Sequence, residues 1–589
     1  MLDFKNYDPK QNAMDEARAL LLHGVKAAMA NGTLPEKELP DFVVEIPNDN
    51  KNGDIASNIA MAGARIFGMA PRKIAEAIVA ALPSLANSMF EKIEIAGPGF
   101  LNLFFAESWF VGVVLAANFY GENYGRTTFG AGKKVNVEFV SANPTGPMHL
   151  GNARGGALGD GLAAALDWAG YDVTREFLIN DAGNQIVKFG KSLATRYLQI
   201  YQGEDAVPFP EDGYQGEDIK VLAQAFADAN GDKFVNGDFA VLQDAIIADA
   251  LPKNIEGLKS DLAKYRITYD VWFSETTLHA SGAIDAVLKT LAERGATYEK
   301  DGAIWYRSTQ YSEKYGANKN TRKGLDGEIS AEDKDEVLVR ANGIPTYFAA
   351  DIAYHYNKFV TRGFDTAIDV WGADHHGHVA RMKGAMDAIG LDGEKLDIVL
   401  MQFVRLLQGG EPVRMSKRTG KAITLTTLLD EVPIDSARFQ FNLREPGSTM
   451  DFDLDLAVKE DNDNPVYYVQ YAHARICSIL KALAAEGIAF VGVEKCNLAL
   501  LNEPNEKELI RLIASFPSEI IAAAKNYDPA RITRYTLELA TQYHKFYNTC
   551  HVKGTESALC QARLALCIAT KNTLHNALTM LKISVPESM

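Results

Sequence analysis

The chain has 589 residues, 47% hydrophobic and 23% charged, which is too long for a single core and predicts about three or four ordinary globular domains. No apolar run reaches the roughly 20 residues of a membrane span, and the mixed-charge N-terminus lacks the apolar core of a secretory signal, so we expect a cytoplasmic protein with no membrane partner. A net charge of −16 excludes indiscriminate nucleic-acid binding through a dominant basic surface, but it still allows a folded RNA bound by local basic patches and shape.

Residues 1–115 are predicted to form a small, separate α/β domain. Helical periodicity covers Ala13 to Ala30, and an alanine-rich stretch predicts another helix over Ile55 to Phe67. Further on, a Gly-Pro-Gly turn separates two short apolar runs, which predicts a hairpin. Its second strand carries Phe100 and Asn102 on one face, since side chains two positions apart share a face. An exposed ring beside an amide is suited to binding a nucleotide base, and ordinary core packing is the alternative.

The most informative stretch is residues 133–160, which predicts a strand, a tight loop and a helix. A β-branched run that includes Val135 and Val140 predicts a buried strand, and the Pro- and Gly-containing loop that follows ends it. His149 and Asn152 stand at the start of the predicted helix, where free N–H groups and the helix dipole favour a phosphate. Neutral donors there can stabilise charge developing on a phosphate under attack. A tight turn without a ligand is the alternative.

A second strand is predicted over Asp172–Ile179, which gives a βαβ unit with a ligand crevice at the carboxyl ends of its strands. This domain is predicted to span 116–460. Residues 200–340 are less regular, and we interpret them as an insertion between two catalytic halves. Three polar side chains then recur four positions apart on one face of a predicted helix: Tyr347, Asp351 and His355.

A strand predicted to end at Gly372 and Asp374 leads into three nearby histidines. These are His375, His376 and His378, and such a cluster raises the possibility of a metal site. No cysteine or dedicated acidic partner completes the ligand set, and the five cysteines of the chain form no C-x-x-C pair. We therefore expect no protein-bound metal, and no zinc in particular.

A basic loop, VRMSKRTGK at 413–421, follows an apolar strand predicted over Ile398–Leu407. Lys417 in this loop is suited to holding the outer phosphates of a nucleotide as a point charge, and a solvated loop is the alternative. From about residue 461, apolar positions at three- to four-residue spacing predict an all-helical bundle over 461–589. This bundle carries an aromatic and basic cluster, YHKFYN, at 543–548.

The His149 and Lys417 segments, in this order, resemble the paired ATP-binding motifs of class I aminoacyl-tRNA synthetases. With EFVSANPTGP, TYFAADIAYHYNKF and NPVYYVQYAHARICSI added, the chain resembles arginyl-tRNA synthetases over nearly its whole length. Asn152 replaces the usual second histidine of the class and Arg414 its usual first lysine, and both keep a donor. The resemblance implies an α/β fold: a class I Rossmann-type catalytic domain with insertions, a small α/β N-terminal domain and an all-α C-terminal bundle that binds the anticodon.

The resemblance also implies an activity and its residues. Arginine and ATP would give arginyl-adenylate and pyrophosphate, and the terminal ribose of tRNA(Arg) would then take the aminoacyl group; bound tRNA would be needed for activation, and Mg²⁺ would arrive with ATP. The implied catalytic residues are His149, Asn152, Arg414 and Lys417. The implied ATP contacts are Pro147, Gly151, Gly372, Asp374, His378, Met415 and Ser416. The implied arginine contacts are Glu138, Ser141, Asn143, Tyr347, Asp351 and His375. The implied tRNA contacts are Phe100, Asn102, Phe546, Tyr547 and Met589.

An arginine pocket needs carboxylates placed to receive a planar, permanently charged fork of donors. Glu138 and Asp351 are the acids that fit, with Tyr347 beside Asp351. The point charge of a lysine substrate cannot satisfy two separated carboxylates, which would leave a buried charge unpaired. For Glu138, the alternative is a surface acid on an edge strand.

Three other functions remain open. Another class I synthetase shares the ATP motifs, although a cysteinyl enzyme would need a cysteine–zinc site and a glutamate substrate would need basic pocket residues. A nucleotidylyltransferase shares the His149-type loop but is far shorter. An inactive tRNA-binding paralogue would explain Asn152 and Arg414. The presence of His149, Asp351 and Lys417 argues against it. No dimer motif is evident, and we expect a monomer.

Overall fold

The computed structural model describes residues 7–39, 41–316, 335–413 and 423–589. Its first part contains α1 (Pro9–Ala30), β1 (Val44–Glu45), β2 (Ile55–Ser57), α2 (Ile59–Phe67), α3 (Pro71–Ala80), β3 (Phe90–Ala96), β4 (Phe100–Phe105) and α4 (Glu107–Tyr120). The strands form an antiparallel sheet in the order β1-β2-β4-β3. The predicted hairpin is β3–β4. The helix predicted from Ile55 begins at Ile59 instead, because Ile55 pairs with Leu103 in the sheet.

The middle of the chain supplies the central sheet. Its elements are β5 (Lys134–Glu138), α5 (Leu150–Trp168), β6 (Asp172–Ile179), α6 (Asn184–Gln202), α7 (Glu217–Asn230), α8 (Phe239–Lys264), β7 (Val271–Ser274), α9 (Thr276–Ala280), α10 (Ala283–Glu293), β8 (Thr297–Lys300), β9 (Ala303–Tyr306), α11 (Ser308–Ser312), β10 (Glu336–Val339), α12 (Tyr347–Tyr356), β11 (Thr366–Gly372), α13 (His376–Ala388) and β12 (Leu396–Met401). Five strands pair in parallel in the order β12-β11-β5-β6-β7, a doubly wound arrangement.

The stretch predicted as one insertion, 200–340, is divided by the central sheet. Val271–Ser274 pairs in parallel with β6 and forms the edge of that sheet, so it is part of the catalytic core. Helices α6 to α8 come before it, and the small antiparallel sheet β10-β9-β8 comes after it. A four-residue strand is too short for its periodicity to stand out from the surrounding helices.

Close packing explains part of the glycine content of α5. A Cβ atom placed on Gly159 would lie 2.2 Å from the Phe139 ring, so only glycine lets the helix lie against the end of β5. This contact packs the middle of α5 against the residue that follows β5. The loop between β5 and α5 therefore opens toward the crevice that parallel sheets offer to ligands.

The described residues from 404 onward are mainly helical, with three short strands. They contain β13 (Val404–Gln408), β14 (Glu411–Pro412), α14 (Leu425–Glu431), α15 (Ile434–Phe441), β15 (Met450–Asp453), α16 (Leu454–Ala457), α17 (Pro465–Ala485), α18 (Pro504–Asn526), α19 (Ala530–Thr549) and α20 (Ser557–Met580). The strand predicted over Ile398–Leu407 is thus two strands, β12 and β13. No helix in the described ranges combines the length and apolar composition needed to cross a membrane.

The helical bundle packs against the N-terminal sheet through buried polar contacts. The Asp54 carboxylate accepts a hydrogen bond from Phe105 N at 2.8 Å and pairs with Arg511 Nε of α18 at 2.6 Å. Tyr124 donates its hydroxyl to the Ile513 carbonyl at 2.9 Å. One continuous hydrophobic core includes residues of the N-terminal sheet, the central sheet and the bundle.

Candidate active site

A cavity of about 1120 Å³ opens at the carboxyl ends of β5, β6 and β11. It collects most of the predicted ATP and arginine contacts from distant parts of the chain. Those lining it are Glu138, Ser141, Asn143, Pro147, His149, Asn152, Asp351, Gly372, Asp374, His375 and His378. The predicted constellation therefore assembles around one space large enough for a nucleotide and an amino acid.

The phosphate-binding end lies at the start of α5. His149 is exposed, and its backbone N–H donates to Asn152 Oδ1 at 2.9 Å, so Asn152 caps the helix while its side chain faces the cavity. Thr424 forms an antiparallel bridge with His149, and Leu425 N donates to the Met148 carbonyl at 2.9 Å. The segment that follows the basic loop is thus fixed beside His149.

A second cavity, of about 770 Å³, is also lined by His149. Gly151 lines it, and so do Val413 and Ile423, the described residues on either side of the basic loop. Both ends of that loop therefore lie at the predicted phosphate site. The predicted site residues Arg414, Met415, Ser416 and Lys417 lie outside the described residues.

The backbone after β5 adopts an unusual conformation. Val140 and Ser141 have φ angles of 69° and 38°, in the left-handed region that favours glycine. A β-branched residue rarely adopts it, and such strain concentrates at functional sites. Here it turns Ser141 so that its hydroxyl donates to Glu138 Oε1 at 2.9 Å. The strained turn thus shapes the wall of the cavity.

Glu138 is buried on a central strand, so the edge-strand alternative is wrong. Its Oε2 accepts from Lys358 Nζ at 2.6 Å, and the same ammonium donates to Asp369 Oδ1 at 2.8 Å. Burial raises the pKa of Glu138, against the opposing effect of Lys358. Burial acts in the same direction on Asp369, but Lys358 and His355 outweigh it and hold the pKa of Asp369 at about 2.

His355 was predicted on the polar face of α12, and the structure places its largely buried imidazole in the wall of the cavity. Its Nδ1 lies 2.7 Å from the Asp351 carbonyl and its Nε2 lies 2.7 Å from Asp369 Oδ2. Both neighbours are acceptors, so both ring nitrogens carry protons and the ring is an imidazolium. Burial lowers the pKa of His355, but Asp369 raises it more, and the net shift is upward.

Asp351 is the acid of α12 that faces the cavity, and it is partly exposed. Its Oδ2 lies 3.5 Å from His378 Nε2. A further acid, Glu275, lies close enough to act on it electrostatically. Glu275 is 5% exposed, and burial followed by repulsion from Asp351 and Asp181 raises its pKa to about 7. The carboxylates of Asp351 and Glu138 therefore lie at this end of the cavity, where a cationic side chain can pair with them.

In the part of the chain that the structure describes, no group of three or more His, Cys, Asp or Glu side chains could hold a metal ion. His375 and His378 instead contact an aromatic neighbour. Their ring centroids lie 6.2 and 5.5 Å from that of Trp371, and both line the cavity. Trp371 was missed in the sequence because a tryptophan at the end of a buried strand looks like core.

Comparison with known proteins identifies the family. The chain is 52% identical to the arginine–tRNA ligase of Caldanaerobacter subterraneus subsp. tengcongensis, over 98% of this chain and 99% of that protein. It is 49% identical to the arginine–tRNA ligase of Ruminiclostridium cellulolyticum, over 98% of both. The chain belongs to the arginyl-tRNA synthetase family.

Three family models match consecutive parts of this synthetase. The arginyl tRNA synthetase N terminal domain matches 19–105, the class I (R) tRNA synthetase catalytic domain matches 116–234, and the DALR anticodon binding domain matches 469–589. The arginyl-tRNA synthetase of Thermus thermophilus has the same fold, with a TM-score of 0.70 at 20% identity over 97% of this chain and 100% of that one. The predicted fold, a class I Rossmann-type core between an α/β domain and a helical bundle, is confirmed.

Tyr347 does not reach the cavity of this synthetase. Its side chain lies near the surface, where the hydroxyl accepts a hydrogen bond from Asn184 N at 2.9 Å. Tyr347 therefore holds the start of α6, and it is not among the residues that line the cavity with Asp351. Asn180, which directly follows β6 and is not among the predicted site residues, does line the cavity, and its Nδ2 donates to Asn143 Oδ1 at 3.2 Å.

The predicted tRNA contacts differ in accessibility. Phe546 is completely buried in the bundle core, so it cannot offer a ring face and its predicted stacking role is corrected. Tyr547 is partly exposed, with the Arg475 guanidinium 4.5 Å above its ring. Asn102 is buried against the turn at Gly53, whereas Phe100 is partly exposed. Met589 is exposed at the end of the chain.

Proposed function

We propose the residue roles by which this chain acts as an arginine–tRNA ligase, the activity of curated relatives that match 98% of its length. The observation that supports these roles is the cavity of about 1120 Å³, since it joins an exposed phosphate site at one end to the carboxylates of Glu138 and Asp351 at the other. In that arrangement the carboxylate of arginine attacks the α-phosphorus of ATP. Catalysis consists mainly of positioning and charge stabilisation.

At the phosphate end, His149 and Asn152 act on the α-phosphate. The N-terminus of α5 adds backbone donors and its dipole, so charge that develops during attack is stabilised without a general base. Lys417 and Arg414 act on the β- and γ-phosphates, consistent with both ends of their loop lying beside His149. Mg²⁺ would be held by the triphosphate itself.

Around the rest of the nucleotide, further residues lie close to the same loop. The proposed ATP contacts are Pro147, Gly151, Gly372, Asp374, His378, Met415 and Ser416. Those within the described ranges line one or both cavities beside His149.

At the acidic end, Asp351 pairs with the guanidinium group of arginine. Glu138 lies deeper, with Lys358 on one carboxylate oxygen and Ser141 on the other, so it provides a fixed negative wall. Asn143 and Ser141 lie near the α-amino and carboxylate groups, and His375 lies between arginine and nucleotide. Tyr347 acts indirectly, by holding the start of α6.

For the tRNA, we propose that Phe100 in domain 1–115 contacts the outer corner and that Tyr547 and Met589 in domain 461–589 lie at the anticodon. Domain 116–460 carries the chemistry. The enzyme acts as a cytoplasmic monomer.

The deciding experiment is ATP–pyrophosphate exchange with each of the twenty amino acids, with and without total tRNA. We expect exchange with arginine alone, and only when tRNA is present. Exchange with another amino acid would refute the assignment of the acidic pocket. No exchange under any condition would support an inactive paralogue.

A further inference from the structure

The region beneath the arginine pocket holds a buried charge cluster that the two-step reaction does not itself require. Its carboxylates are Glu138, Glu176 and Asp369, and its cations are His355, Lys358 and Arg362. Charges in a low-dielectric interior are retained only when paired and hydrogen-bonded. With three carboxylates and three cations the cluster is neutral, and Lys358 joins Glu138, the carboxylate that faces the cavity, to Asp369.

Lys358 is placed by an irregularity in the backbone. Helix α12 ends at Tyr356 and continues as a π-helical turn over Asn357–Thr361, a form that is frequent at functional sites. The turn directs the Lys358 side chain under the sheet, where it is fully buried. Its ammonium bridges Glu138 on β5 and Asp369 on β11, strands that are neighbours in the central sheet.

We propose that Lys358 is a positioning residue for arginine: it keeps the Glu138 carboxylate ionised and in one orientation at the floor of the pocket. The proposal rests on the arginine-binding function given above. Lys358 does not line the cavity and does not contact substrate, so it acts only through Glu138. An aliphatic ammonium suits the task because it is a compact point charge that can bind two carboxylates at once.

Without Lys358, the largest remaining influences on Glu138 favour its protonated form. Burial raises its pKa, and repulsion from Asp369 and Glu176 raises it further. The groups that act on or surround this carboxylate are Ser141 after β5, Glu176 on β6, Tyr269 before β7, Tyr354 on α12 and Asp369 on β11. Two further cations lie one step away, His355 paired with Asp369 and Arg362 paired with Glu176. A protonated Glu138 would no longer present a negative wall to a guanidinium.

The test is Lys358→Met, assayed by ATP–pyrophosphate exchange at saturating ATP and tRNA(Arg). We expect the arginine KM to rise about tenfold or more at pH 7 and to fall as the pH is raised toward 9, because Glu138 then ionises. The KM for ATP should change less than twofold. In the unmodified enzyme, the arginine KM should change much less over the same pH range.

Two further variants separate positioning from stability. Glu138→Gln/Lys358→Met removes both charges, so it should unfold at a higher temperature than Lys358→Met, while its arginine KM stays high and no longer depends on pH. Arg563→Met breaks a comparable buried pair in the bundle, where Arg563 Nε lies 2.6 Å from Glu506 Oε1. It should lower the unfolding temperature but leave the arginine KM unchanged.

A normal, pH-independent arginine KM in Lys358→Met would overturn the proposal. So would an equal rise in Arg563→Met, since the effect would then follow stability alone. If Lys358→Met does not fold, a normal arginine KM in the double variant would also overturn it. Absence of arginine-dependent exchange in the unmodified enzyme would instead refute the proposed function, so the two failures are distinguishable.

Discussion

The two ends of the active-site cavity are built in opposite ways. At the arginine end, Glu138 and His355 are buried and their charged groups have partners within the protein. At the phosphate end, His149 is exposed and Asn152 uses its side-chain oxygen only to cap α5. The arginine end is therefore preorganised by a network that also contributes to folding. The phosphate end holds its donors free for a ligand that brings its own charge.

The largest effect should come from Asp351→Ala. Removing the partly exposed carboxylate leaves the guanidinium without its partner, and loss of such a charge pair costs about 2–4 kcal/mol. We expect the arginine KM to rise about a hundredfold or more in the exchange assay, with little change in unfolding temperature. Asp285→Ala, an exposed acid on α10, is the control and should leave the KM unaltered. Near-normal arginine kinetics would remove Asp351 from the pocket.

His149→Ala should affect the rate of activation and not the binding of arginine. Removing a donor that acts only on the transition state lowers the rate about a hundredfold. Single-turnover measurement of adenylate formation should show that loss, with an unchanged unfolding temperature because the side chain is exposed. His376→Ala removes a neighbouring exposed imidazole that does not line the cavity, and it should be silent. A large stability change in His149→Ala would contradict the contrast between the two ends.

Tyr547→Ala tests whether a partly exposed group in the bundle also serves binding, here by stacking its ring on a tRNA base. Loss of one stacked base is worth about 1–3 kcal/mol, so the KM for tRNA(Arg) should rise about tenfold in aminoacylation assays. Tyr547→Phe keeps the ring and should retain most of the affinity. If the alanine variant binds tRNA normally, the anticodon contact lies elsewhere on the bundle.

The smallest effect concerns His544, which packs near Tyr547. Burial, followed by the nearby Arg475, lowers the pKa of His544 to about 4. An unfolded histidine titrates near 6.5, so between these values the unfolded chain binds a proton that the folded chain does not. The contribution of neutral His544 to the free energy of unfolding is therefore present above about pH 6.5 and is lost as the pH falls toward 4.

Denaturant unfolding at pH 7 and pH 5 should show a smaller loss of stability for His544→Gln than for the unmodified chain. The exposed His551, replaced in the same way, is the control and should not alter the difference. Equal losses in the unmodified chain and the His544 variant would mean that His544 titrates normally.

The local sequence pattern predicted an element correctly where that element has a clear periodicity of its own. The strand Asp172–Ile179 and the hairpin of β3 and β4 lie where the sequence predicts them. The local pattern failed where pairing with a distant strand determines the secondary structure. Examples are Ile55–Ser57, which pairs with β4, and Val271–Ser274, which completes the central sheet. In both cases tertiary pairing overrode the local preference.

The same limit applies to the site. The residue types at His149, Asn152 and Asp351 indicate their chemistry directly, and the structure brings them to one cavity. Lys358 gave no indication in the sequence, because its partner Glu138 lies 220 positions away and a lysine near a helix end usually faces solvent. Phe546 and Tyr547 are adjacent aromatics of similar type, and only packing decides which ring is accessible.

The carboxylate of Asp54 accepts from the N-terminal sheet and pairs with Arg511 of the bundle, so one buried group joins the two domains proposed to contact tRNA. A tRNA that contacts both the N-terminal domain and the bundle makes its second contact after the first has already formed a complex. The relevant quantity is then an effective concentration, about millimolar for closely linked sites, in place of the concentration of free tRNA. Two individually weak surfaces can thereby select one elongated molecule, and a truncated RNA that reaches only one of them would lose most of its advantage.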